Sequence, residues 1–262
     1  RILELVKLYN SDQTSYYRSS EVEAVIHKAL NYWFTAKPVC LNWWYNQIGI
    51  PKTLGTVFIL FEKQLTPVEK QNAITVMENA KFGMTGQNKV WLAGNVMMRA
   101  LLQNDYELVK MARDTIASEI VTGGTEGIKD DWCFHQHGAQ QQFGNYGLSF
   151  VSGMSFFSGL FSGTSLAFDD KQLSILSTLI DKGYRWVIWK GMMDVNALGR
   201  QLFHHAPVHK ALSLAFAASE LGGGESDECV AVATALLRDN YPAPAVNVLT
   251  GHKHFWQSDY TI

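Results

Sequence analysis

Trp132-Cys133-Phe134-His135-Gln136-His137-Gly138-Ala139-Gln140-Gln141-Gln142-Phe143-Gly144-Asn145-Tyr146-Gly147 is the stretch on which the reading of this chain turns. It is rich in Gly and Gln, contains no Asp, Glu, Lys or Arg, and carries two His and a Tyr. A packed helical core has no use for this composition. A loop that must present an imidazole and a phenol to a polar ligand does. The segments on both sides read as ordinary helices. The chain therefore reads as a helical scaffold that holds this loop with two further polar loops, residues 85–91 and 196–205.

Working outward, helix signals recur. Ser20-Glu21-Val22-Glu23 has the pattern of a capping box, in which a hydroxyl accepts from the N3 amide and Glu reaches back. Val22, Val25, Ile26, Ala29, Leu30 and Trp33 then fall on one helical face, and Pro38 supplies the stop. Pro51 is expected to start a helix to about Lys63. Thr66-Pro67-Val68-Glu69 starts another, with a Thr cap, Pro at N1 and Glu at N3. Residues 85–91 feed a helix through Met97 and Leu102, and Asp105 caps the next, to about Ile120. Residues 123–127, Gly-Gly-Thr-Glu-Gly, read as a flexible turn. Beyond Gly147, residues 148–161 are apolar, with Gly153, Ser155, Ser158 and Gly159 as candidates for close helix packing. Asp169 and Asp170 open a helix to about Ile188. Residues 207–220 and 225–239 form a last pair broken at Gly222-Gly223-Gly224, and Tyr241-Pro242-Ala243-Pro244 ends the helical region. Alternating strand patterns are nearly absent. The expected fold is all-α: about ten helices in antiparallel hairpins that curl into an incomplete α/α toroid, with the long polar loops forming the site. One domain over residues 1–262 is expected.

Composition narrows the function. A chain that is 47% hydrophobic and 18% charged can bury a substantial core. Its net charge of −2 leaves no basic footprint for nucleic acid. No apolar run of about 18 residues occurs, so no membrane span is expected. Residues 1–9 mix charges into an apolar pattern and look like part of a helix, not a signal peptide, and both ends of the chain look cut. Cys40, Cys133 and Cys229 are widely spaced, without metal-ligand spacing, and read as small buried hydrophobes. Aromatic residues at 12%, with eight Trp, exceed the needs of a core and suit a carbohydrate groove. Sugar C–H faces pack on aromatic rings while hydroxyls need hydrogen bonds. Asn42-Trp43-Trp44-Tyr45-Asn46-Gln47 puts polar partners beside such rings. Three adjacent aromatics cannot share one helical face. The segment reads equally as a sugar-stacking platform and as a buried aromatic cluster.

Four polar residues stand out: Asn88, His137, Tyr146 and Arg200. Singly, each has an ordinary reading as a turn residue, a surface His or a surface ion pair. Taken together, with Asn42-Trp43-Trp44-Tyr45-Asn46-Gln47-Ile48-Gly49-Ile50-Pro51, Thr85-Gly86-Gln87-Asn88, Gln136-His137-Gly138, Asn145-Tyr146-Gly147 and Asn196-Ala197-Leu198-Gly199-Arg200, the chain resembles the polysaccharide lyases that include hyaluronate lyase, chondroitin AC lyase and xanthan lyase. The resemblance spans nearly the whole chain. It implies an N-terminal helical catalytic domain, followed in the family by β-sandwich domains, in a secreted or periplasmic enzyme.

The resemblance also implies β-elimination on an acidic, uronic-acid-containing polysaccharide. Removing the C5 proton places charge on the adjacent carboxylate, and an enzyme must stabilise that charge where it develops. Asn88 and His137 are the implied donors. Tyr146 is the implied base and acid. A phenol needs a neighbouring cation to act as a base, and Arg200 would be that cation. His137 is the rival base, since an imidazole titrates near neutrality. Trp43, Trp44, Trp91, Asn145 and His204 are the candidate substrate contacts. Where the family's pattern has a second Arg, this chain has His204. The family also uses a Glu from beyond the toroid. No cofactor or metal is expected.

Two other readings compete. A glycoside hydrolase on a helical toroid would need two carboxylates across the cleft, and the adjacent Asp130 and Asp131 are the offer nearest the loop. A non-catalytic glycan-binding domain would keep the tryptophans and need neither His137 nor Tyr146.

Overall fold

A computed structural model describes residues 1–222, 251–255 and 258–261. They divide into two compact units. One comprises residues 1–84 and 91–116, the other residues 85–90 and the described residues from 117 onward. The expected helix at 225–239 and the stop at 241–244 lie outside the described residues.

The first unit is helical. α1 (Ile2–Asn10), α2 (Ser20–Ala36), α3 (Ile50–Leu60) and α4 (Pro67–Met77) pack their apolar faces together. Val6, Ile26, Leu30, Val57, Phe58, Phe61, Ala73 and Met77 form a fully buried core, with Leu102 from α5 (Gly86–Gln103). α6 (Tyr106–Ala117) follows. Its start is capped as expected, the Asp105 carboxylate accepting from the Leu108 amide at 3.0 Å.

The start of α2 differs by one residue from the sequence reading. Ser19, not Ser20, is the cap and accepts from the Val22 amide. Glu23 does not reach back; its carboxylate accepts from the Tyr9 hydroxyl at 2.5 Å. A left-handed Lys37 and then Pro38 end the helix. At Thr66 the expected capping box is present, a feature worth about 1 kcal/mol. Its Glu69 is 2% exposed. That carboxylate also meets His27 Nδ1 at 2.9 Å and Asn31 Nδ2 at 2.9 Å.

α3 starts at Ile50, with Pro51 in its first turn as expected, and ends at Leu60, short of Lys63. A π-turn, Tyr45–Gly49, runs directly into α3. A π-turn frees a backbone carbonyl, and here the Asn95 amide takes up Ile48 O at 3.1 Å. The Asn46 side chain pins the entry by bonding both the N–H and the C=O of Cys40.

The described residues of the second unit contain three ribbons that the sequence pattern did not announce. β1 (Gly127–Ile128) pairs with β2 (Phe134–His135), and β3 (Ile188–Trp189) with β4 (Met192–Met193), both antiparallel. α7 (Leu148–Phe161), α8 (Asp170–Lys182) and α9 (Ala206–Gly222) supply its helices, and β5 (His252–Phe255) pairs with β6 (Ser258–Thr261). Asp169 caps α8 with Gln172 as the reciprocal partner. α8 stops at Lys182 instead of reaching Ile188. Gly183 has no room for a side chain, since a Cβ there would lie 2.3 Å from Trp132 O. α7 and α9 pack together, and the buried Ser155 hydroxyl donates to Ala217 O at 2.9 Å. Gly153 and Gly159 do not mark close packing, because a Cβ at either would meet nothing within 4 Å.

Cys40 and Cys133 are free thiols, and burial pushes the Cys133 thiol far above its ordinary range. Cys133 is the small buried hydrophobe expected, while Cys40 is only half-buried; Cys229 lies outside the described residues. Among the described residues no helix is long and apolar enough to cross a membrane.

Candidate active site

Tyr146 sits in a second π-turn, Phe143–Gly147, that leads straight into α7. All five residues of this turn are buried. Two glycines make it possible. A Cβ on Gly144 would come within 2.7 Å of Ala197 O and Leu198 Cα, and one on Gly147 within 2.7 Å of the Tyr184 hydroxyl. That hydroxyl donates to Phe143 O at 3.0 Å. Full burial pushes the Tyr184 phenol well above its ordinary range, so it stays a donor.

The loop before the turn carries His137 in the left-handed region, φ 60°. A non-glycine residue is uncommon there and marks a conformation imposed by its surroundings. Glu126 holds the residues on both sides of His137. Its carboxylate accepts from the Gly138 amide at 3.0 Å, from the Thr85 hydroxyl at 2.6 Å and from Gln136 Nε2. Gln136 Oε1 in turn accepts from the Gln87 amide at 2.9 Å. Glu119 accepts from the Gly86 amide at 2.7 Å and pairs with Lys89 at 2.9 Å. Residues 85–90 are thus not the loop that composition suggests. From Gly86 onward they are the first turn of α5, its open amides taken by Glu119 and Gln136. Carboxylates are favoured at such a helix start.

The geometry centres on the Tyr146 oxygen. His137 Nε2 lies 3.0 Å from it and Arg200 Nη2 3.1 Å. The imidazole meets the phenol ring edge-on at 5.0 Å, and the guanidinium carbon is 5.7 Å from the ring centre. Tyr146 is 5% exposed, whereas His137 and Arg200 are open to solvent. The second unit also holds buried amide atoms without partners among the described residues: Gln87 Oε1 and Nε2, Asn88 Oδ1, Gln142 Oε1 and Asn145 Nδ2. A buried polar atom left unpaired costs about 1–3 kcal/mol. Unpaired groups of this kind suit contact with a polar ligand.

His137, Tyr146 and Arg200 are therefore in direct contact. Asn88 is on the adjoining helix turn, one residue after the amide that Gln136 holds, and Asn145 precedes Tyr146. His204 is exposed and its ring lies 3.7 Å from that of His205. Trp43, Trp44 and Trp91 belong to the first unit. There Trp44 and Trp91 meet edge to face at 5.5 Å and pack on Ile48, Ala80 and Leu92, while Trp43 is exposed. Asp131 accepts from the Cys133 amide at 3.0 Å, and Asp130 lies beside Gly123. Composition gave no sign of Glu126, Glu119 or the buried Lys210 of α9. Glu126 stood in a stretch that reads only as a turn.

Comparison with known proteins identifies the family of the chain. Residues 1–220 match the model of polysaccharide lyase family 8, N-terminal α-helical domain. Among curated relatives, chondroitinase-AC of Pedobacter heparinus is 28% identical over 98% of this chain and 37% of its own length. Xanthan lyase of Bacillus sp. strain GL1 is 26% identical over 72% of this chain and 22% of its own. The chain thus spans well under half the length of these relatives. A chondroitinase AC lyase solved in enzyme–oligosaccharide complexes superposes with a TM-score of 0.81 at 26% identity, over 97% of this chain and 39% of that one. A Paenibacillus xanthan lyase gives 0.81 at 22% identity, over 91% and 24%. The mainly helical class expected from the sequence, and the incomplete α/α toroid with it, is the fold these matches share. The chain belongs to polysaccharide lyase family 8 and carries its N-terminal α-helical domain.

Proposed function

We propose that this domain cleaves a uronic-acid-containing polysaccharide, of the hyaluronan and chondroitin type or the xanthan type, by β-elimination. The observation that carries the reading is the Tyr146 oxygen held between His137 and Arg200. The phenol must first lose its own proton, and His137 Nε2 is the acceptor in reach. Arg200 stabilises the phenolate by direct hydrogen bonding. The phenolate then takes the C5 proton of the uronate. Charge moves onto the sugar carboxylate, where the Asn88 amide and a protonated His137 donate to it. The C4–O4 bond breaks, Tyr146 returns the proton to the departing oxygen, and a C4–C5 double bond remains. Asn145 and His204 are the sugar contacts proposed in the second unit, and Trp43, Trp44 and Trp91 are candidate sugar-stacking rings within the first.

The longer relatives support a parent chain in which further domains, β-sandwiches by resemblance, follow this one and complete the site. A secreted or periplasmic location fits a polymeric substrate of this kind.

The test is to incubate the full parent chain with hyaluronan, chondroitin and xanthan. A lyase yields a product whose conjugated double bond absorbs in the ultraviolet. New reducing ends without that absorbance would mean hydrolysis, and neither would mean binding alone. Tyr146→Phe should lower kcat by at least about 10²–10⁴-fold, the usual worth of one acid–base role. Full activity in Tyr146→Phe would sink the assignment.

A further inference from the structure

Lys210 is a buried ammonium that the elimination scheme does not use. It lies in α9, is 5% exposed, and donates to Gly144 O and, at 2.7 Å, to Gln201 Oε1. Both acceptors are neutral, and among the described residues it forms no ion pair with a carboxylate. Burying an amine in this way is costly, and burial holds the Lys210 ammonium below its ordinary range. The two acceptors are not arbitrary. Gly144 opens the π-turn of Tyr146, and Gln201 directly follows Arg200. The turn has no slack on its other side, because Gly144 already abuts Ala197 and Leu198.

We propose that Lys210 is a positioning residue: its ammonium ties the turn carrying Tyr146 to the segment carrying Arg200, and so sets the phenol oxygen against the guanidinium. The proposal rests on the reading of Tyr146 as the proton-transfer group. Displacing a reacting group by about 1 Å can cost about 10²-fold in rate. The tie therefore acts on kcat, while sugar contacts elsewhere hold KM.

The test uses Lys210→Met and Lys210→Gln in the full parent chain, with folding checked by circular dichroism. Lys210→Met should lose about 10- to 100-fold in kcat, with KM moving less than about threefold. Lys210→Gln, which keeps a donor, should fall between it and the wild type. In a Tyr146→Phe background Lys210→Met should add little, since residues that act through one another are not additive. A folded Lys210→Met with kcat within about twofold of wild type, or a loss confined to KM, overturns the proposal. If Lys210→Met fails to fold, Lys210→Gln decides by the same criteria. Amide exchange over residues 143–147 separates the two readings. It should quicken in the variant even if the parent chain makes no unsaturated product, in which case the lyase reading has failed and not the tie. Unchanged exchange there overturns the tie.

Discussion

The two compact units bury different things. The first closes on aliphatic and aromatic side chains, and its one deeply buried carboxylate, Glu69, is satisfied by Thr66, His27 and Asn31. The second buries amides with open valences, an ammonium on neutral oxygens, and a turn so tight that two glycines are obligatory. The first interior is built for stability. The second forgoes stability where a polar ligand is to be met, the usual tension between a stable fold and a working site.

Truncation in the first interior should give the largest effect and leave chemistry alone. Phe58→Ala removes a fully buried ring and should cost about 3–5 kcal/mol in denaturant unfolding, with the kcat of the folded protein unchanged. A smaller cost would mean that this core is looser than its burial implies. Asn88→Ala should do the reverse. Loss of one charge-stabilising donor lowers kcat by about 10²–10³-fold, while the melting temperature holds or rises. A drop in melting temperature with unchanged turnover would return Asn88 to a structural role. Gln87→Met replaces two unpartnered polar atoms with an apolar group of similar length. It should stabilise by about 1–2 kcal/mol, read as a rise in urea midpoint at constant slope. A loss instead would show that water satisfies those atoms.

The smallest effect concerns acid. Burial alone would raise the Glu69 carboxyl, but hydrogen bonds from Thr66 and His27 outweigh it and hold the group below its ordinary value of 4.5. A depressed carboxylate contributes stability that is fully present above its unfolded value and is lost as pH falls through the folded one. The stability gap between wild type and Glu69→Gln should therefore be constant above about pH 5 and close below pH 4.5. A gap that persists at lower pH would assign the contribution to packing.

These differences explain what could be read beforehand. Helix starts at Thr66, Asp105 and Asp169 were legible because a cap is a local device spanning three or four residues. His137, Tyr146 and Arg200 stood out as types foreign to a helical core. The two-residue strands were not legible, since they are too short to show alternation. Residues 85–91 looked like a loop because their polar groups serve partners distant in sequence: the Gln87 backbone amide bonds to Gln136, 49 residues away, and the Thr85 hydroxyl to Glu126, 41 residues away. Glycine count misled at Gly153 and Gly159, which face open space, and informed at Gly144 and Gly147. Only the packing of other segments distinguishes the two cases. Lys210 was invisible for the same reason, since nothing nearby in sequence marks it as buried.

The left-handed backbone of His137 has an evolutionary consequence. Glycine would adopt that conformation without strain, so, with His137 in its proposed role, selection for a sturdier fold and selection for turnover pull in opposite directions at this position. A library of variants screened for heat tolerance alone should enrich glycine at 137. The same library screened on substrate should return histidine. The site would then be a fitness trade-off confined to a single codon.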